Sequence, residues 1–248
     1  MPSPADVRAA AAAFAAAAGV EIRLVEDAAG ANTWAALCDS IWQMPPGASI
    51  VEPGHLVAMA HVGNYVATAF AGGEPVGVCY GFWHEPGDQA LHSHIAGVRW
   101  DRLGSGIGKA MKYHQAAWLL DHGTEAMTWT FDPLIARNAA FNLRTLGVRV
   151  LEYLPDFYGA MNDGLNDGLP TDRLFVRWDF LEDGVPTPEG ETSAVPIPGD
   201  IEAIRRRDPA AAAALALELR GKLLPLLAQG WQVCGFDRAR SSYLLARP

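Results

Sequence analysis

The alternation of apolar and polar positions divides the chain into a series of short regular elements. Residues 5–18 are dominated by Ala, with no Pro before the turn at Gly19, which predicts a helix on propensity alone. EIRLVE at 21–26 alternates apolar and charged side chains and predicts a half-buried strand. Trp34, Leu37, Cys38 and Ile41 recur at helical spacing, so a helix capped by Asn32 or Thr33 is expected through about Trp42, stopped at Pro45 and Pro46. The stretch on to about Ala60 gives mixed signals. Two β-rich runs, 64–71 and 76–83, flank AGGEP and predict a hairpin; a second turn, EPGD at 85–88, leads into a strand over 91–99.

Past Arg99 the period changes. A glycine-rich turn opens a helix whose stripe Ile107, Met111, His114 and Trp118 predicts a core-facing side, with His114 a hydrogen-bonded core histidine. A strand at 126–131, a helix at 135–146 ended by Gly147 and a strand at 174–180 follow. Strand, helix, strand in this order implies that the fourth and fifth strands run parallel. Residues 183–199 hold Pro186, Pro188, Pro196 and Pro198 with Gly184, Gly190 and Gly199, the composition of a linker or long surface crossing. Beyond it, a helix over 209–229 and strands at 231–236 and 242–247 are expected to complete the sheet of the same domain, because a tail with two strands makes a poor core alone.

Composition narrows the function. With 248 residues, half of them apolar and 19% charged, the chain can bury a substantial core. A formal net charge of -9 argues against a nucleic-acid partner, and the basic run Arg205–Arg207, flanked by Asp200, Glu202 and Asp208, reads as a solvated helix end. Cys38, Cys79 and Cys234 are odd in number and widely spaced, which suits a reducing interior. No apolar run is long enough to span a bilayer, and the Ala-rich N-terminal helix is no secretion signal, so a cytoplasmic location without membrane attachment is expected.

The chemistry concentrates at 90–123. Gly104, Gly106 and Gly108 alternate where turn meets helix, so backbone amides can point outward with no side chain to screen them, as an anion cradle requires. Arg99, Arg102, Lys109 and Lys112 surround it against Asp101 alone, four cations to one carboxylate, a local balance of +3. A nucleoside-triphosphate loop fails here, since Ala110 follows Lys109 where Ser or Thr would hold magnesium and Leu103 replaces the first glycine. A dinucleotide fingerprint fails too, because Lys109 takes the third glycine's place and no second βαβ unit follows.

VRWDRLGSGIGKAM at 98–111 resembles the pyrophosphate-binding motif of the GNAT superfamily of acyl-CoA N-acyltransferases: Gly106 and Gly108 match its two small positions, and Leu103 replaces its Arg or Gln. Asn138, then AAFNLRT and Leu146-Gly147-Val148, resembles the superfamily's later motif, with Leu143 where many members place a Tyr that protonates the leaving thiolate. WTFDP at 129–133 and YLPDFYG at 153–159 look like a bacterial branch described as predicted acetyltransferases. The resemblance implies an α/β fold with a mixed, mostly antiparallel sheet, splayed fourth and fifth strands and flanking helices. It implies a core over 1–182 with 183–248 completing it, and acetyl-CoA or another acyl-CoA as co-substrate. It also implies transfer of a short acyl group to a small-molecule or peptide amine by direct attack on the thioester. A non-catalytic acyl-CoA-binding module with the same fold is the alternative, and the oligomeric state is open.

Carried over residue by residue, the resemblance assigns the cofactor to Ala96, Gly97, Val98, Leu103, Gly104, Ser105, Gly106, Ile107, Gly108, Lys109, Asn138 and Phe141. His92 stands where the superfamily often places a Glu base, and Tyr158 is within reach of the acid's role. The residues themselves leave plainer readings open. His92 and His94, two apart on one strand face, can satisfy polar groups at a sheet surface, with His84 and Glu85 as neighbours. Tyr158 can be core beside Phe157, and Asp132 can cap a helix or orient an amine. His-x-His lacks an evident third ligand, so no metal is expected. Trp42, Met44, Trp83 and Trp129 line an acceptor pocket or simply fill the core.

Overall fold

The computed structural model describes residues 1–159, 161, 169–182, 184 and 190–247. In chain order the elements are α1 (Pro4–Ala18), β1 (Glu21–Leu24), α2 (Ala28–Ile41), α3 (Pro53–His61), β2 (Tyr65–Ala71), β3 (Glu74–Trp83), β4 (Leu91–Val98), α4 (Ile107–Asp121), β5 (Ala126–Phe131) and α5 (Ala136–Ala140). They continue with β6 (Arg149–Leu154), β7 (Arg173–Asp179), β8 (Glu191–Pro196), α6 (Ile201–Arg207), α7 (Pro209–Ala228), β9 (Gln232–Asp237) and β10 (Ser242–Arg247). A seven-stranded sheet has the order β1-β2-β3-β4-β5-β7-β6, mostly antiparallel with β4 and β5 parallel. This is the mixed α/β sheet that the sequence predicts.

The chain forms two compact units, the first from residues 1–128 with 179–182 and the second from most of the remainder. In the first, α1 starts at a capping box in which Ser3 and Asp6 satisfy each other's backbone N–H, and it ends at Gly19, whose φ of 63° suits glycine. It packs on α4 through Phe14 and Tyr113, edge to face at 4.8 Å. α2 begins five or six residues earlier than predicted, because Asp27 accepts from the Gly30 N–H and takes the cap. Asn32 and Thr33 instead bond back to the carbonyls of Ala28 and Ala29 within the helix. The ambiguous stretch before Ala60 contains α3, capped by Glu52 with Pro53 at its first position.

The apolar face of α2 covers β2, β3 and β4, and Trp34, fully buried, anchors it by donating its indole N–H to the Cys79 carbonyl. At the α2 C-terminus, Trp42 lies across β4. A Cβ built on Gly97 would sit 2.6 Å from two Trp42 ring atoms and 3.3 Å from Ile41, so the missing side chain makes room for the indole.

In the second unit the predicted helix at 135–146 is α5 continued by a π-helical turn over Phe141–Leu146, closing at Gly147 with φ 70°. β6, which the sequence reading passes over, pairs antiparallel with β7. Asp172 ties this unit together: its carboxylate accepts from the Tyr153 hydroxyl at 2.5 Å, from the Asp156 amide at 2.9 Å and from the Arg220 guanidinium. Arg205 is not solvated as expected but is nearly buried, pairing with Asp132 at 2.6 Å. The last two strands do not join the main sheet. With β8 they make a separate sheet ordered β8-β10-β9. β8 falls at the end of the expected linker, whose positions 183 and 185–189 lie outside the described residues.

The Gly97 contact makes a sharp test. Gly97→Ala is expected to cost about 1–3 kcal/mol by overpacking against the indole, and Trp42→Leu in the same chain should recover most of it. Urea unfolding of the two single variants and the double variant measures the coupling. A Gly97→Ala protein as stable as the parent would contradict the close approach.

Candidate active site

β4 pairs with β5 at Leu91↔Met127 and His92↔Thr128 and no further. From Ser93 to Val98 its outer edge has no strand partner among the described residues. Arg99 donates to the Val76 carbonyl, so by antiparallel alternation Gly97 and Ile95 turn their amides toward β3, whereas Ala96 and Val98 present theirs at the open edge. Of the three residues assigned there from sequence, two project N–H groups outward and one is committed to the ladder.

The β3–β4 register shifts between Tyr80/Phe82, so Ser93 and His94 share a bulge. The bulge changes which face each side chain takes. Ser93 turns toward α4, where it meets Lys112 and Gln115, whereas Ile95 and Gly97 turn toward α2. Val98 then faces α4 again, near Gly108.

His92 and His94 come together as predicted, their ring centroids 5.9 Å apart and both against Phe82. His92 is half-buried, His94 exposed. The His92 Nδ1 lies 3.1 Å from the Thr128 hydroxyl, which lies 2.8 Å from the His84 Nε2; the His84 Nδ1 is 2.5 Å from the Asp88 carboxylate. Burial first, then the neighbouring His94, His84 and Lys112, push His92 down to about 4, so its imidazole is neutral near pH 7 and able to accept a proton. Thr128 and Asp88 are the residues that sequence reasoning missed. Asp88 carried a faint signal, four places after His84 in a tight turn; Thr128 carried none, because only the strand register sets it against His92.

The glycine turn folds as a short 3₁₀ turn, Trp100–Arg102, followed by Gly104 at φ 80° and Gly106 at φ 88°. Both conformations belong to glycine. Gly106 is the N-cap of α4 and supplies no side chain to its first turn, so the amides of Ile107, Gly108 and Lys109 open outward uncapped. Gly108 is helical, and a Cβ there would approach nothing closer than Val98 at 3.9 Å. Leu103 and Ser105 lie exposed on the same turn.

The expected ring of cations does not form. Arg99 is held by Asp101 at 2.6 and 2.9 Å, and Arg102 lies 3.7 Å from the same carboxylate. Lys109 places its ammonium 3.7 Å over the Phe14 ring. Lys112 is buried, donates to the Ser93 hydroxyl at 2.7 Å, and is pushed down to about 8 by loss of water. The amides, not these side chains, give the cradle its character.

His114 is the hydrogen-bonded core histidine predicted, its Nδ1 2.7 Å from the Tyr65 hydroxyl. Trp83 donates to the Gly63 carbonyl at 2.9 Å and Trp129 to Asn142 at 3.1 Å, so both have structural partners. Asn138, Phe141 and Tyr158 belong to the second unit, all half-buried; the Tyr158 hydroxyl lies 3.0 Å from that of Thr130, and its ring lies 5.1 Å from the Arg173 guanidinium carbon. Leu143 is buried. Asp132 does not cap α5, whose N-cap is Ile135 with no side-chain hydrogen bond; it accepts from the Leu134 amide two residues on, and its other oxygen takes Arg205. Among the described residues no three His, Cys, Asp or Glu side chains group as metal ligands, and no helix is long and apolar enough to cross a membrane.

No protein-family model matches the chain, and no curated protein matches it. Solved structures do. YncA of Salmonella typhimurium, solved with its cofactor acetyl-CoA, superposes with a TM-score of 0.52 at 14% identity, over 68% of this chain and 99% of that one. The ribosomal-protein-S18-alanine N-acetyltransferase of Escherichia coli gives 0.50 at 12% identity, over 68% and 99%. An N-acetyltransferase of Staphylococcus aureus Mu50 gives 0.50 at 14%, over 64% and 98%. A parallel pair that parts after two residues, followed by a glycine turn into an uncapped helix, is thus set in a sheet shared with these enzymes: the chain has the fold of the GNAT N-acetyltransferases.

Proposed function

We propose that this protein transfers an acetyl or other short acyl group from acyl-CoA to an amine. The observation that carries the reading is the continuity, within one compact unit, of the uncapped α4 N-terminus, the open β4 edge and the neutral His92. The residues present suit such a co-substrate. The backbone of Leu103–Lys109 offers N–H donors to a diphosphate with only glycines at its tightest positions, and the outward amides of Ala96 and Val98 offer donors to an extended chain of amide groups. Bound there, acyl-CoA supplies an activated thioester. His92 accepts the proton that an ammonium must lose before its nitrogen becomes a nucleophile.

The acceptor is assigned only as an amine. One structural neighbour is named for acetylating an alanine of a ribosomal protein, so both small amines and peptide termini belong in the first screen.

Two measurements test the reading. Gly106→Val forces a β-branched residue to φ 88° and should weaken acetyl-CoA binding at least about tenfold, roughly 1.4 kcal/mol. Gly108→Ala keeps a helical backbone and a folded protein, so loss of affinity there reports crowding of the cradle itself. Calorimetric titration with unchanged affinity in both would remove the cradle from the site. Second, His92→Gln should lower CoA release in the presence of a reactive amine by on the order of 10²–10⁴-fold while leaving acetyl-CoA binding intact. Acetyl-CoA binding without CoA release from the parent protein, across small amines, amino acids and peptides, would instead identify a binding module.

A further inference from the structure

With His84 neutral, the four groups around Thr128 take one direction set by their chemistry. The Asp88 carboxylate can only accept, so the His84 Nδ1 must carry the proton of their 2.5 Å contact. In neutral His84 the Nε2 is then an acceptor, and the Thr128 hydroxyl 2.8 Å away must donate to it. With its one proton so used, Thr128 receives from the His92 Nδ1–H at 3.1 Å. That leaves the lone pair on the His92 Nε2, the atom a general base needs. Thr128 is 2% exposed, so water does not compete for the hydroxyl.

The geometry points to a proton relay, His92–Thr128–His84–Asp88, that carries the acceptor's proton away from the reacting nitrogen. The inference rests on the acyl-transfer reading and extends it. One N–H bond of the substrate ammonium breaks as N–H forms at the His92 Nε2. The His92 Nδ1–H passes to the Thr128 oxygen while the Thr128 hydroxyl proton passes to the His84 Nε2. Three bonds to hydrogen break and three form, His92 ends neutral with its proton on Nε2, and one positive charge ends on His84 beside Asp88. Thr128, His84 and Asp88 are positioning residues; only His92 meets the substrate.

The arrangement answers a difficulty that His92 alone would face. His94 on its own strand, Lys112 on α4 and His84 at the end of β3 all oppose positive charge at His92, and burial adds to them. Tyr80 packs edge-on against His94 instead, and the His55 Nε2 lies 3.2 Å from the Tyr80 hydroxyl. Asp88 brings a carboxylate to the cluster at His84, where the relay delivers the charge.

Nitrogen-15 NMR of histidine in the full chain, with Thr128→Val as an isosteric break and Asp88→Asn as a surface variant, decides the matter without turnover. We expect His84 and His92 both to carry their resting proton on Nδ1, with Thr128→Val releasing both rings from that tautomer order. A resting proton on the His84 Nε2, or tautomers indifferent to Thr128→Val, overturns the relay. In turnover, Thr128→Val should lower kcat by on the order of 10²-fold and move the acid limb of kcat/KM down from the parent's toward about 4, where His92 alone titrates, and Asp88→Asn should move it the same way. An acid limb unmoved in both variants also overturns it. Failure of the acyl-transfer reading is distinct: the parent binds no acetyl-CoA, or releases no CoA with any amine, while the NMR pattern still reports the relay.

Discussion

Two residue pairs of parallel strand, Leu91↔Met127 and His92↔Thr128, set most of what this protein can do. A parallel ladder has evenly spaced, slanted hydrogen bonds and is ordinarily extended by neighbours on both sides. Here it stops after two pairs, and the consequences run in opposite directions along β4. Toward the N-terminus the ladder holds Thr128 against His92 and fixes the relay. Toward the C-terminus it is absent, and the amides of Ala96 and Val98 look out from an edge that would otherwise be a liability for aggregation. A longer pairing would close that edge; a shorter one would lose the threonine.

The bulge at Ser93 and His94 is the second condition. An unbulged strand would send Ser93, Ile95 and Gly97 to one face. Instead Ser93 faces α4, where buried Lys112 needs a hydroxyl, and Ile95 and Gly97 face α2, where Trp42 needs space. One extra residue thus serves a polar demand on one side and an apolar demand on the other. It also sets the Lys112 ammonium behind the strand and the neutral His92 ring in front.

The sequence shows the skeleton clearly and the chemistry partially. Helical stripes and β alternation locate α4 and β2 through β5, and the glycine turn is legible because Gly104 and Gly106 stand where only glycine tolerates the backbone. Side-chain partnership is less legible. Lys109 and Lys112 look like phosphate ligands from their distance along the chain, yet one stacks on Phe14 of a distant helix and the other is pulled beneath the sheet. The C-terminal strands were visible, but their sheet was not, because β8 lies in a Pro-rich stretch whose composition hides a strand that begins at Glu191. Thr128 is the clearest instance: a β-branched residue in a strand fits propensity perfectly well, so nothing in the local pattern marks it, and its role appears only once register brings it to His92.

That difference has a physical basis. Anion recognition through backbone amides is encoded by absence of side chains, and absence can be read directly from a string of glycines. Proton transfer through side chains is encoded by distances of about 3 Å between residues 36 and 44 positions apart, His92 to Thr128 and His84 to Thr128, and those distances depend on how two strands and a turn converge. The first kind of site survives drift in the surrounding sequence as long as the turn keeps its conformation. The second fails with a one-residue slip of β5, since such a slip turns the Thr128 hydroxyl to the opposite face of the sheet and leaves the His92 and His84 nitrogens with no atom between them.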